Sequence, residues 1–206
     1  MTRRGILDFF ASLPTRAARL GVTAAGYAAG VAAGVLGLST FLVEHMQAPR
    51  FRYEVECVGP DGEVKWTETF FNTVMTGGKN DLLTNYFKGS AYTAAFFVGL
   101  VDNASFSAIS AADTMASHAG WIESVAYSNS TRPALTLGTP SAGSVDNSAS
   151  KASYTINATA TINGAFTTTV STKSGTTGVL YSAGSFGSTR SVLSGDTLNV
   201  QITLSV

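Results

Sequence analysis

The residues that could carry chemistry are few. His45 and His118 are the only two histidines. His118 lies in the run Asp113-Thr-Met-Ala-Ser-His118-Ala-Gly-Trp121-Ile-Glu123. An imidazole between two carboxylates is the donor set of an acid–base pair or a metal site, provided that Asp113, His118 and Glu123 converge in space. The plainer reading is that these groups hydrogen-bond a loop while Trp121 packs in a core, and we adopt it. Thr76-Gly77-Gly78-Lys79-Asn80 has the flavour of a phosphate cradle, but it lacks the full glycine spacing and the Ser or Thr after Lys. It reads better as a loop leading into a short helix. No nucleophile elbow, phosphate-binding loop or paired-histidine motif is present. Cys57 is the single cysteine, so an intrachain disulfide framework and a multi-cysteine metal site are excluded. It suits a small buried hydrophobe in a strand. Asn129-Ser-Thr131 and Asn157-Ala-Thr159 match the glycosylation pattern, which matters only in a eukaryotic secretory setting. No catalytic residue, metal ligand or cofactor-binding residue is therefore assigned, and no cofactor is expected.

The elements that would position these residues are mostly strands. Phe51, Tyr53, Val55 and Cys57 alternate with Arg52, Glu54 and Glu56, the period of a half-buried strand. Gly59-Pro60-Asp61-Gly62 is a turn, and Val64, Trp66 and Thr67 start a return strand. Gly77-Gly78 reads as a break. Asn80 or Asp81 then caps a short helix carrying Leu82, Leu83, Tyr86 and Phe87, closed by Gly89. Phe96–Val101 reads as a buried strand, and Asp102 with Asn103 as a turn. Residues 107–118 read as a helical turn or a structured loop. Trp121–Tyr127 and Ala134–Leu137 are expected as short strands. Tyr154–Ile162 alternates, and Asn163-Gly164 predicts a hairpin turn into Phe166–Thr172. Val179–Tyr181 and Ser191–Leu193 are expected as two further strands. Ser194-Gly195-Asp196 is a turn, and Leu198, Val200, Ile202, Leu204 and Val206 alternate to the end. Short strands with frequent turns predict a mainly β body, an antiparallel β-sandwich or jelly roll with one short helix.

Composition agrees. The 206 residues have a formal net charge of zero, and only 13% are charged. A chain without a basic excess is not built for nucleic acid as its main partner. Its 12 Phe, 7 Tyr and 2 Trp can build a core. Threonine-rich, charge-poor strands invite edge pairing, which a homo-oligomer would manage.

Residues 1–48 differ from the remainder. Arg3, Arg4, Arg16 and Arg19 precede an uncharged apolar stretch, residues 20–43, that is rich in Gly and Ala. Gly26, Gly30 and Gly34 recur every fourth residue, which gives a candidate helix-packing face. Three readings fit: a membrane anchor, a signal segment beginning at Arg3-Arg4, or a packing arm sheltered inside an assembly. Ala48-Pro49 reads as a linker. The expected organisation is an apolar helical segment over 1–48 and a β-rich domain over 49–206, with a first part at 51–137 and Ser/Thr-rich hairpins at 138–206.

An ordered series of short motifs resembles structural proteins of tailed bacteriophages, which are often encoded near head genes. The series runs Cys57-Val-Gly59-Pro60-Asp61-Gly62-Glu63-Val64-Lys65-Trp66, Asn72-Thr-Val74, Gly78-Lys79-Asn80-Asp81-Leu82-Leu83, Phe97-Val98-Gly99-Leu100, and Asp113 to Trp121. It continues with Ser171-Thr172-Lys173-Ser174-Gly175-Thr176-Thr177-Gly178 and Ser194-Gly195-Asp196-Thr197-Leu198. The resemblance covers about residues 51–206 and implies a virion protein that decorates or cements the head shell. Its partners would be the major capsid protein or another virion protein, and further copies of itself. It carries over no catalytic residue. The alternative is a membrane-anchored surface or adhesion module held through residues 20–43. A third class, a hydrolase or carbohydrate-binding domain, requires a cleft that gathers Asp113, His118 and Glu123.

Overall fold

A computed structural model describes residues 49–88 and 95–205. The chain divides into two units, 1–47 and 48–206, and the described residues belong to the second. Gly26, Gly30, Gly34, His45 and the apolar stretch 20–43 lie outside them. Among the described residues, no helix is long and apolar enough to cross a membrane.

The body is two antiparallel sheets. The first contains β1 (Arg50–Val58), β2 (Val64–Phe71), β6 (Ser144–Asp146), β7 (Ala152–Thr155) and β10 (Thr197–Ser205), in the order β2-β1-β10-β6 with β7 also on β10. The second runs β3 (Thr73–Val74), β9 (Leu180–Val192), β8 (Ala160–Thr168), β4 (Phe97–Asp102), β5 (Glu123–Ser124). The mainly β sandwich with one short helix is thus observed.

Alternation decides the packing. Phe51, Tyr53, Val55 and Cys57 of β1 face inward beside Leu198, Val200 and Ile202 of β10. They meet Val98, Leu100, Ile162 and Phe186 of the other sheet in one core. Two tyrosines stitch the layers. Tyr53 Oη sits 2.9 Å from Ser182 Oγ, which is 2.6 Å from Thr167 Oγ1. Tyr154 Oη donates to Val98 O at 2.7 Å. With these partners the buried hydroxyls escape the cost of an unpaired polar group.

The β1–β2 hairpin forms at Gly59–Gly62 as expected. Gly62 takes φ +83°, and Gly59 N–H donates to Glu63 O. Four other expectations need correction. First, the helix α1 spans Thr76–Leu82 and continues as a π turn over Leu83–Phe87, so it begins before Asn80 and includes Gly77-Gly78. Its N-cap is Met75, without a side-chain cap bond. Gly78 is there for proximity: a Cβ would stand 2.6 Å from Tyr181 O of β9. Second, Asn163-Gly164 is no turn but lies inside β8, at a register irregularity between Ile162 and Gly164. A side chain at Gly164 would overlap the Gly184 carbonyl across the strand pair. Third, the two strands expected at 179–181 and 191–193 are the ends of one 13-residue strand, β9. Fourth, residues 121–127 and 134–137 are largely irregular. They contain the two-residue β5 and single bridges at Tyr127 and Ala134.

Side chains finish what the ladders leave open. Between β6 and β7, Asn147 accepts Ile202 N–H on Oδ1 at 2.6 Å and donates Nδ2–H to Val200 O at 3.2 Å. It takes the place of the missing strand residues beside β10. Along β9, Glu68 of β2 accepts from Gly187 N and from both Arg190 Nε and Arg190 Nη2. Trp66 Nε1 donates to Ser191 O. These contacts cover part of a strand edge that would otherwise offer free backbone groups.

Two glycine substitutions separate close approach from turn geometry. Gly164→Ala must push apart two strands of a packed sheet and should lower the unfolding free energy by about 3 kcal/mol. Gly62→Ala has open space around its Cβ and should cost only the left-handed backbone penalty, about 1 kcal/mol. Urea unfolding of both variants checks this. Equal losses would contradict the role given to Gly164.

Candidate functional site

At its centre, in β8, the second sheet is buried on both faces. Every residue of β8 from Ile162 to Thr168 is buried. One face meets the inter-sheet core. The other meets a smaller cluster of Met75, Val101, Met115, Trp121, Phe166, Leu180 and Ala183, with Phe106 and Ile109 against it. Residues 103–122, which carry the histidine-containing motif, supply the cover. They form a structured loop, the second of the two forms expected for 107–118.

Its polar groups act mainly on Trp121. Asp113 Oδ2 accepts Trp121 Nε1–H at 2.9 Å and Ser110 N–H at 2.9 Å. His118 stacks on the indole, with ring centroids 4.1 Å apart and planes 23° from parallel. Its Nδ1 lies 2.9 Å from Trp121 O. A carbonyl only accepts, so Nδ1 carries the proton. Thr114 and Ser117 exchange backbone bonds in a tight turn. A side chain at Gly120 would run into Ala108 O. Trp121 then reaches Phe166 at 5.1 Å between centroids. Phe166 lies across Gly99, its partner on β4, in space that any larger residue at 99 would claim.

Glu123 does not join Asp113 and His118. Arg132 takes both its oxygens, Nε to Oε1 at 2.8 Å and Nη2 to Oε2 at 2.7 Å. Ser174 N–H also donates to Oε2 at 2.7 Å. The guanidinium, 1% exposed, completes its bonds at Val170 O and Gly175 O. It also sits 5.3 Å from the Phe166 ring centroid. The ion pair thus fastens the loop between β8 and β9 to the segment after β5. Lys173 of the same loop donates to Tyr127 O and Asn129 O and lies 4.0 Å from the Tyr127 ring centroid. His118 and Glu123 share the lining of a cavity of about 220 Å³ with Trp121 and Ser174, and Asp113 is not on its wall. Among the described residues, no group of three or more His, Cys, Asp or Glu side chains is placed to hold a metal ion.

The remaining motifs end in the same kind of bond. Asp196, buried, accepts Lys65 Nζ at 2.7 Å, Leu193 N–H at 2.9 Å and Cys57 Sγ at 3.5 Å, all on Oδ2. Burial would raise its carboxyl, but these bonds outweigh it and hold it below the usual carboxylate range. Burial, with the Asp196 charge beside it, pushes the Cys57 thiol up to about 12. Cys57 is therefore a neutral thiol in a strand, as its sequence context predicts. Asp102 Oδ1 accepts Ala104 N–H at 2.7 Å, the expected turn. Residues 76–80 form the first turns of α1 rather than a loop. The Asn129 side chain pairs with Ser153 O and Thr155 N–H of β7.

Sequence reading missed Arg132. It carries the sole charge between Glu123 and Asp146, and an isolated cation in so apolar a stretch is the signal of a buried partner. Compared with protein families and with curated proteins, the sequence matches none.

Removing one partner of a buried pair strands the other charge. Arg132→Ala should cost about 3–5 kcal/mol. The double variant Arg132→Met, Glu123→Leu should recover most of that loss. Thermal and urea unfolding of the two variants measures it. A single variant as stable as the parent would mean that the pair does not anchor the loop.

Proposed function

We propose that the protein is a structural component of a tailed-phage virion, one that decorates or stabilises the head shell. The observation that supports this reading is the use made of the motifs that resemble those of phage structural proteins. Asp113 and His118 fix Trp121 within its loop, Trp121 packs on Phe166 of β8, Lys173 ties the β8–β9 loop to residues 127–129, and Asp196 ties the turn before β10 to Lys65 of β2. A protein that serves as part of a wall needs loops held in this way. No catalytic role is assigned. The partners under this reading are the major capsid protein or another virion protein, together with further copies of the chain.

Quantitative mass spectrometry of gradient-purified particles, run beside the membrane fraction of the producing cells, tests the proposal. Abundance comparable to the major shell protein is expected. Absence from particles with enrichment in membranes would overturn it in favour of an anchored surface module.

A further inference from the structure

A groove opens between α1, which leans on the first residues of β9, and the start of β1 and end of β10. It holds about 540 Å³, and Phe51, Val74, Leu82, Val145, Tyr181 and Leu204 form much of its wall. A second cavity of about 210 Å³ shares Phe51, Leu82, Tyr181 and Leu204 and extends to Phe96 and Leu135. The two cavities are therefore neighbours that share an apolar wall. The larger alone falls within the roughly 300–1,000 Å³ typical of ligand sites. Its exposed wall is almost wholly apolar.

That chemistry selects the occupant. A sugar or nucleotide would bring hydroxyls and amines that find no partner. An extended peptide would bring backbone N–H and C=O groups with the same difficulty. An aliphatic chain brings neither. The charged residues of the larger cavity are Arg50 and Lys79. Neither forms an ion pair with another described residue. The Arg50 guanidinium lies 5.7 Å from the ring centroid of Phe71, which is 62% exposed. Lys79 stands exposed in the last turn of α1. The acid of the smaller cavity, Asp81, accepts from Asn85 Nδ2 at 2.8 Å.

We propose that this groove binds a long-chain fatty acid, its hydrocarbon along the shared apolar wall and its carboxylate at the Arg50 and Lys79 rim. The site is independent of the virion reading and stands or falls apart from it.

Calorimetric titration of the delipidated full-length chain with saturated fatty acids of increasing length, each below its micelle concentration, is the test. Primary alcohols of matched length serve as the uncharged controls. Affinity should rise about fourfold per added methylene until the groove is full. Each acid should bind more tightly than its alcohol. Lys79→Glu, a change at an exposed position, should weaken the acids about tenfold and leave the alcohols within twofold. No binding at any length, an affinity independent of length, or equal affinities for acids and alcohols would each overturn the proposal. Binding to anionic phospholipid vesicles without binding of free acid would overturn it too, and would mark a membrane-facing surface instead.

Discussion

The constraint on which the structure depends is that β8 is buried on both faces. A sheet covered on one side by its partner sheet can leave the other side wet, and then alternates apolar and polar residues. β8 does not. Ile162 to Thr168 must be sheltered twice, and the second shelter is made of loops rather than of strands. Loops bring backbone polar groups with them, and buried ones must be paired. This explains why so many bonds of the outer layer run from side chain to backbone. Arg132 reaches Val170 O and Gly175 O, Lys173 reaches Tyr127 O and Asn129 O, and Glu123 receives Ser174 N–H.

The same constraint accounts for the scarcity and placement of charge. In a chain with few ionisable groups, those inside must be matched. Glu123 has Arg132, and Asp196 has Lys65 at the rim with a backbone N–H and a thiol further in. A bidentate guanidinium–carboxylate pair suits this task, because its planar fork fixes direction as well as distance. The aromatic groups follow the charges: Phe166 receives both the Arg132 guanidinium and the Trp121 indole.

Much of the first sheet was legible from residue order, because β1, β2 and β10 have one wet face and their alternation survives intact. The second sheet, built around the doubly buried β8, was less so. Asn163-Gly164 carries a turn signal, yet at that point the need for backbone proximity to Gly184 outweighs local preference. Gly77-Gly78 likewise reads as a break but lies in α1, which must press against Tyr181. The partition of β9 into two expected strands failed because Gly184, Ser185 and Gly187 look like loop residues when their long-range partners, Gly164 and Glu68, are out of view. The candidate site shows the same pattern. That Asp113 and His118 hydrogen-bond a loop while Trp121 packs in a core was readable; that both bond to Trp121 itself was not. The diversion of Glu123 to Arg132 was not, since the bond depends on how residues 125–132 turn back beside the loop at 169–179.

The central claim is that residues 103–122 and 169–179 form a fixed outer layer over the second sheet. Hydrogen exchange of the full-length chain, read amide by amide, tests it most directly. The claim predicts slow exchange at Ser107, Trp121 and Ser174, whose N–H groups bond to Gly120 O, His118 O and Glu123 Oε2, and at Phe166 beneath them. Fast exchange at these three loop amides while β1 and β10 remain protected would contradict it, because the loops would then open without the sandwich and the layer would not be part of the fold.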